Sequence, residues 1–172
     1  MATLEIEIDR QAFLSTLYKA QGVVDRKSTV SVLSHILVEP TNDEGIRITG
    51  TDYDVVFRSE IPARVIQGGR ACVHGKSLFD VVKSLDSPTV HLRVADNHWV
   101  DVDAGRSRFK LAGIDPADFP DIQSPSEVAS FGMSRATLKD LIEKTSFSVS
   151  GDETRMNLNG VFFKVEPAAE GD

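Results

Sequence analysis

The chain has 172 residues, 41% of them hydrophobic, with 19 basic and 26 acidic side chains and a formal net charge of −7. That length fills one core and part of another, while the acid excess, taken as a total, argues against nucleic acid. The one cysteine, Cys72, excludes an internal disulfide, and no stretch approaches the roughly 18 apolar residues of a membrane span, so the sequence predicts a soluble, cytoplasmic chain.

Leu4, Ile6 and Ile8 alternate with Glu5 and Glu7, the period of a half-buried strand. Asp9 then caps a helix whose inner face is Phe13, Leu14, Leu17 and Ala20, and Gly22 ends it. Strands are predicted over 30–39, 46–50 and 55–65, broken at 42–45 and 51–52. The same order recurs: a short strand over 70–73, with Cys72 as a small buried residue, and a helix with Leu78, Phe79, Val82 and Leu85 inward. Strands over 90–94, 99–103 and 107–111 follow. Residues 115–127, which contain Pro116, Pro120 and Pro125, are predicted to be a linker. A strand over 128–133, a helix over 134–144 and a strand over 155–165 then begin the pattern again.

The recurrence has an offset of 125 residues. Laid without a gap over 133–162, residues 8–37 match Arg10 with Arg135, Lys19 with Lys144, Val24 with Val149, Thr29 with Thr154 and Leu33 with Leu158, and Ser134 stands where Asp9 caps the first helix. The expected fold is α+β, a two-helix, eight-strand antiparallel module with its helices on one face. One copy is complete over 1–122. A second begins over 127–172 and is truncated, so the chain is expected to be an incomplete fragment. Val161, Phe163 and Val165 share one face of the last strand, whose partner strands are not in this sequence. Residues after about 127 are therefore expected to be poorly ordered or to pair only with another chain.

Charge is sorted along the chain. Residues 9–27, 75–86 and 134–144, the helical segments, hold nine basic and six acidic residues, and the remainder holds ten basic and twenty acidic. A mildly positive helix face on an acidic body suits loose contact with a phosphate backbone; ordinary solvated helix faces are the alternative. No base-reading element occurs, so any DNA contact would be sequence-tolerant. Two Asp-x-Asp pairs, Asp52 with Asp54 and Asp101 with Asp103, have the form of a Mg²⁺ site. The first lies at a strand break and the second alternates with Val100 and Val102 as a wet strand face, although a metal-dependent phosphotransferase using Asp52 and Asp54 stays open as a third reading. The four histidines have no ligand spacing, and the stretch 105–108 lacks the second glycine of a nucleophile elbow. No catalytic residue, metal or cofactor is expected, and no enzyme.

The stretches Gly50-Thr-Asp52, Gly75-Lys-Ser-Leu-Phe-Asp80 and Gly105-Arg-Ser-Arg-Phe109, the last followed by Asp118-Phe-Pro120, resemble the bacterial sliding clamps, the beta subunits of DNA polymerase III. Thr154-Arg-Met-Asn-Leu-Asn-Gly160 is similar to that family's second-domain strand. The resemblance implies a DNA-clamp fold, a homodimeric ring closed head-to-tail with helices lining the hole, and processivity for the replicase. It implies double-stranded DNA (through its backbone), DNA polymerase III subunits and a clamp loader as partners, and no membrane. By resemblance, Arg26 and Lys27 touch DNA. Arg106, Arg108 and Leu111 meet the other chain, and Arg155 and Leu158 edge the partner-peptide pocket. Ser31 departs from the family, which has proline there. Pairing of Arg106 and Arg108 with Asp101 or Asp103 is the plain structural alternative. A free-standing interaction module that competes for clamp assembly, without encircling DNA, is the alternative function.

Overall fold

The computed structural model describes all residues except 1, 25–29, 42–43, 96, 123–130, 153 and 166–172. The chain divides into two compact units, Met1–Gln123 and Ser124–Asp172.

In the first unit, β1 (Ala2–Asp9) leads into α1 (Arg10–Ala20), and β2 (His35–Pro40), β3 (Gly45–Thr51) and β4 (Val56–Gln67) follow. The order repeats with β5 (Ala71–His74), α2 (Gly75–Ser84), β6 (Thr89–Ala95), β7 (Val100–Ala104) and β8 (Ser107–Leu111), and a two-residue β9 (Gly113–Ile114) closes the set. All pairings are antiparallel, in the order β8-β7-β6-β1-β4-β3-β2-β5-β9. Each repeat therefore gives its first strand to the other: β1 pairs with β6, and β5 with β2. Two segments join the halves. The twelve-residue β4 pairs with β3 and then with β1. The run 107–114 leaves β7 as β8 and, one residue later, joins β5 as β9. The two sheet edges thus come together at Gly113, where a Cβ would lie 2.4 Å from the His98 carbonyl and 2.7 Å from that of Cys72. Only glycine permits that approach.

The core follows from the alternation. Leu4, Ile6 and Ile8, Val90, Leu92 and Val94, and Val100 and Val102 are at most 1% exposed, and they meet Phe13 and Leu17 of α1 and Leu78 and Val82 of α2. Each such side chain contributes about 1.5–3 kcal/mol. Both helices pack on this one apolar side, against each other.

Three departures from the sequence reading have physical causes. The stretch 31–34 is a 3₁₀ turn rather than the start of a strand, because the Ser34 hydroxyl and the His35 ring both hydrogen-bond the Ser31 carbonyl, and this local bonding competes with a ladder. Residues 115–122 are no loose linker: Asp115 caps a 3₁₀ turn, Pro116–Asp118, which sets Phe119 onto Leu37 and Cys72 on the outer face of β2 and β5. In the second unit, α3 (Arg135–Thr145) forms with Ser134 as its cap, but no described residue of 155–165 joins a strand ladder. Met156–Leu158 is a 3₁₀ turn instead, and Phe162, Phe163 and Val165 are exposed. A strand requires a partner backbone, and no described residue supplies one.

Burial beneath Phe119, assisted by Asp118 and Asp115 and opposed by Arg70, pushes the Cys72 thiol up to about 12, so little reactive thiolate exists at neutral pH. Phe119→Ala is expected to lower stability by about 3 kcal/mol in denaturant titration and to accelerate alkylation of Cys72. An unchanged alkylation rate would mean that Phe119 does not guard the thiol.

Candidate nucleic-acid interface

The two helices present a common solvent face, and their ends are fastened to each other. The Asp9 carboxylate accepts from the Ala12 amide at 2.8 Å, capping α1. The next residue, Arg10, reaches across to donate from Nε to the Val82 carbonyl at 3.1 Å and from Nη2 to that of Lys83 at 3.0 Å. One guanidinium thus satisfies two end carbonyls of α2 and joins the start of α1 to the finish of α2. The cationic groups exposed on this face are Lys19 of α1 and Lys76 and Lys83 of α2, with Asp80 paired to Lys76. Arg26 and Lys27, expected to touch DNA, lie outside the described residues.

The cap of α2 is a histidine. His74 Nδ1 accepts from the Ser77 amide at 3.2 Å, which requires that nitrogen to be unprotonated. The ring meets His35 edge-on, with centroids 5.6 Å apart. Burial, then the neighbouring His35 and the Lys76 ammonium, hold His74 below the usual imidazole range, with Asp80 opposing.

The outer face of the sheet has the opposite character. Its polar groups run in cross-strand rows: Lys110, Asp101, Arg93 and Glu5, of alternating sign, in one, and Arg108, Asp103, His91, Glu7 and Arg64 in the next, where two carboxylates lie between two arginines. Arg108 Nε lies 2.8 Å from Asp103, Arg93 3.8 Å from Asp101 and Arg64 3.1 Å from Glu7. The plain structural pairing expected for Arg108 is therefore present. Where β4 crosses between the halves, an open groove of about 520 Å³ is lined by Glu7, Asp9, Glu44 and Arg64. Its acidity would repel phosphate.

Both rows end in cations on β8, the sheet edge. Arg106 sits in the turn before it, and Arg108 keeps 79% of its side chain exposed despite the Asp103 pair. Leu111 is half-buried against the core, and Phe109 is 37% exposed. Arg155 and Leu158 come together in one turn of the second unit, where the Leu158 amide donates to the Arg155 carbonyl at 2.8 Å. Arg155 pairs with Asp152 at 3.3 Å, and Leu158 is 48% exposed. Lys19 and Lys83 were not singled out in the sequence. Their only signal there is helical spacing, which leaves them off the buried stripes of Phe13 with Leu17 and of Leu78 with Val82.

Among the described residues no three metal-ligating side chains cluster. The Asp52 carboxylate accepts from the Asp54 and Val55 amides, closing a turn, and Asp101 and Asp103 pair with arginines. No described helix is long and apolar enough to cross a membrane.

Residues 4–123 match the family of the DNA polymerase III beta subunit, N-terminal domain. The beta sliding clamp of Pseudomonas aeruginosa is 32% identical over 168 residues, covering 94% of this chain and 44% of that protein. The beta sliding clamp of Caulobacter vibrioides is 32% identical over 161 residues, covering 92% and 43%. Among solved structures, the sliding clamp of Bartonella birtlesii bound to griselimycin superimposes with a TM-score of 0.88 at 29% identity, covering 94% of this chain and 43% of its own. The chain spans less than half the length of these relatives.

With the folded-state value of His74 below the unfolded one, both states are neutral above about pH 6.5 and stability is complete there. As pH falls through the ordinary histidine range the unfolded chain takes the proton first, and stability is lost. His74→Asn, which keeps a capping acceptor without a titrating group, is expected to lose less stability between neutral and mildly acid pH in urea titrations. Parallel losses would acquit the cap.

Proposed function

This chain belongs to the DNA polymerase III beta subunit family by its N-terminal domain, and from that premise we propose that it acts as part of a DNA sliding clamp. In this reading a ring encircles duplex DNA and confers processivity on the replicase, and the chain catalyses nothing itself. The observation that carries it is the division of charge between two faces: lysines on the helix layer, an acidic groove and neutralised rows on the outer sheet. DNA held against the helix layer meets attraction without any group that reads bases. Residues 1–122 would be the first clamp domain and 127–172 the start of the second. Arg26 and Lys27 would touch the phosphate backbone, as would Lys19 and Lys83. Cytoplasmic location, a clamp loader and polymerase subunits as clients belong to the same reading, with Arg155 and Leu158 at the edge of a peptide pocket.

Ring closure would use β8. A strand added to its free edge continues two rows that end in Arg108 and Lys110, so the fitting partner carries carboxylates there and apolar groups opposite Phe109 and Leu111. A second β8 would set arginine against arginine, and the junction is therefore heterologous, as a ring demands. The same exposed edge supports the alternative of a free-standing module that competes for clamp assembly.

Binding of the chain to duplex DNA, followed by fluorescence anisotropy, should be weak and fall steeply with salt. Lys27→Ala and Lys83→Ala should each flatten the salt slope by about 0.9 and weaken unrelated duplexes equally; a loss confined to one sequence would count against backbone contact. Mixed with a full-length relative, the chain should form a joint assembly by light scattering. Arg108→Glu should weaken it about tenfold or more, and an undiminished assembly would remove β8 as the junction.

A further inference from the structure

Tyr18 is 70% exposed on α1, whose other aromatic, Phe13, is fully buried. Its ring leans on Phe79 of α2, with centroids 6.3 Å apart and planes at 43°, and the Lys83 ammonium lies 5.9 Å from the Phe79 centroid. Leu14 and Phe79 are partly buried beneath this seam between the helices, and Lys19 adjoins Tyr18 in the sequence. Among the described residues no hydrogen bond engages the Tyr18 hydroxyl. The core does not need this ring, yet Phe79 fixes its direction.

We propose that the Tyr18 phenol directly contacts the phosphodeoxyribose backbone of duplex DNA, a deepening that rests on the helix layer being the DNA-facing surface. A tyrosine has few rotatable bonds, and one already steadied by a neighbouring ring loses little freedom on binding. Its hydroxyl donates to a phosphate oxygen, as tyrosines commonly do at protein–DNA interfaces, and its ring covers sugar. Lys19 and Lys83 supply the attraction that brings the backbone to it. The phenol is neutral, so it adds a contact without releasing a counterion. This distinguishes it from the lysines and suits a surface along which DNA must move.

The test is duplex affinity of the 172-residue chain across a salt series, with unfolding midpoints measured to verify the fold of each variant. Tyr18→Phe is expected to bind about three- to tenfold more weakly at every salt concentration with the slope unchanged, whereas Lys19→Ala lowers the slope by about 0.9. Equal affinity of Tyr18→Phe and wild type would overturn the proposal while leaving the DNA reading intact. So would a loss seen only in Tyr18→Ala together with preference for single strands, since that marks a ring stacking on unpaired bases. A wild-type chain with no duplex affinity at low salt would remove both.

Discussion

The exchange of first strands is the constraint on which the rest of the N-terminal unit depends. Because β1 lies between β6 and β4, its Leu4, Ile6 and Ile8 fill a core whose other walls come from both repeats. Neither βαβββ repeat can complete its own sheet, and each helix must pack where the two sheets share their apolar side. Side-by-side helices on one face follow directly, and the Arg10 bonds to Val82 and Lys83 then set their relative position. The helix face is thus a product of sheet topology, not of helix propensity.

Electrostatics divides along the same layer. Within β1, β6, β7 and β8, alternation sends every second residue outward, and many of these outward residues are charged, with carboxylates facing cations across the strands. Individual surface pairs such as Arg108 with Asp103 contribute at most about 1 kcal/mol. Their larger consequence is that the outer rows neutralise themselves while the groove at the β4 crossing stays acidic. Within α1 and α2 themselves, Asp80 is the one carboxylate among these lysines. A chain with net charge −7 can in this way offer one attractive face to a polyanion.

The second unit illustrates the converse. Its α3 has the same kind of cap as α1, with Ser134 accepting from Thr137 at 3.0 Å, yet none of its residues is buried. Leu138, Leu141 and Ile142 each remain at least 38% exposed. Capping and i,i+4 pairs such as Lys144 with Asp140 support a helix locally, but its apolar stripe gains its main stabilisation only when a sheet covers it.

The residues themselves determined whatever depends on near neighbours and on periodicity. That includes the Asp9 and Ser134 caps, the alternation through Leu4, Ile6 and Ile8, the inner faces of both helices, and motifs such as Gly105-Arg-Ser-Arg-Phe109 that carry the family likeness. Only tertiary structure decided which strands pair, that Phe119 closes over Cys72 within a proline-rich stretch, that Arg10 is a fastener between helices, and that Tyr18 stands outward on Phe79. Spacing along a chain encodes which side of an element is apolar. It does not encode which distant backbone completes a ladder or which carbonyl a long side chain reaches, because those partners are chosen by geometry that exists only after the sheet has formed.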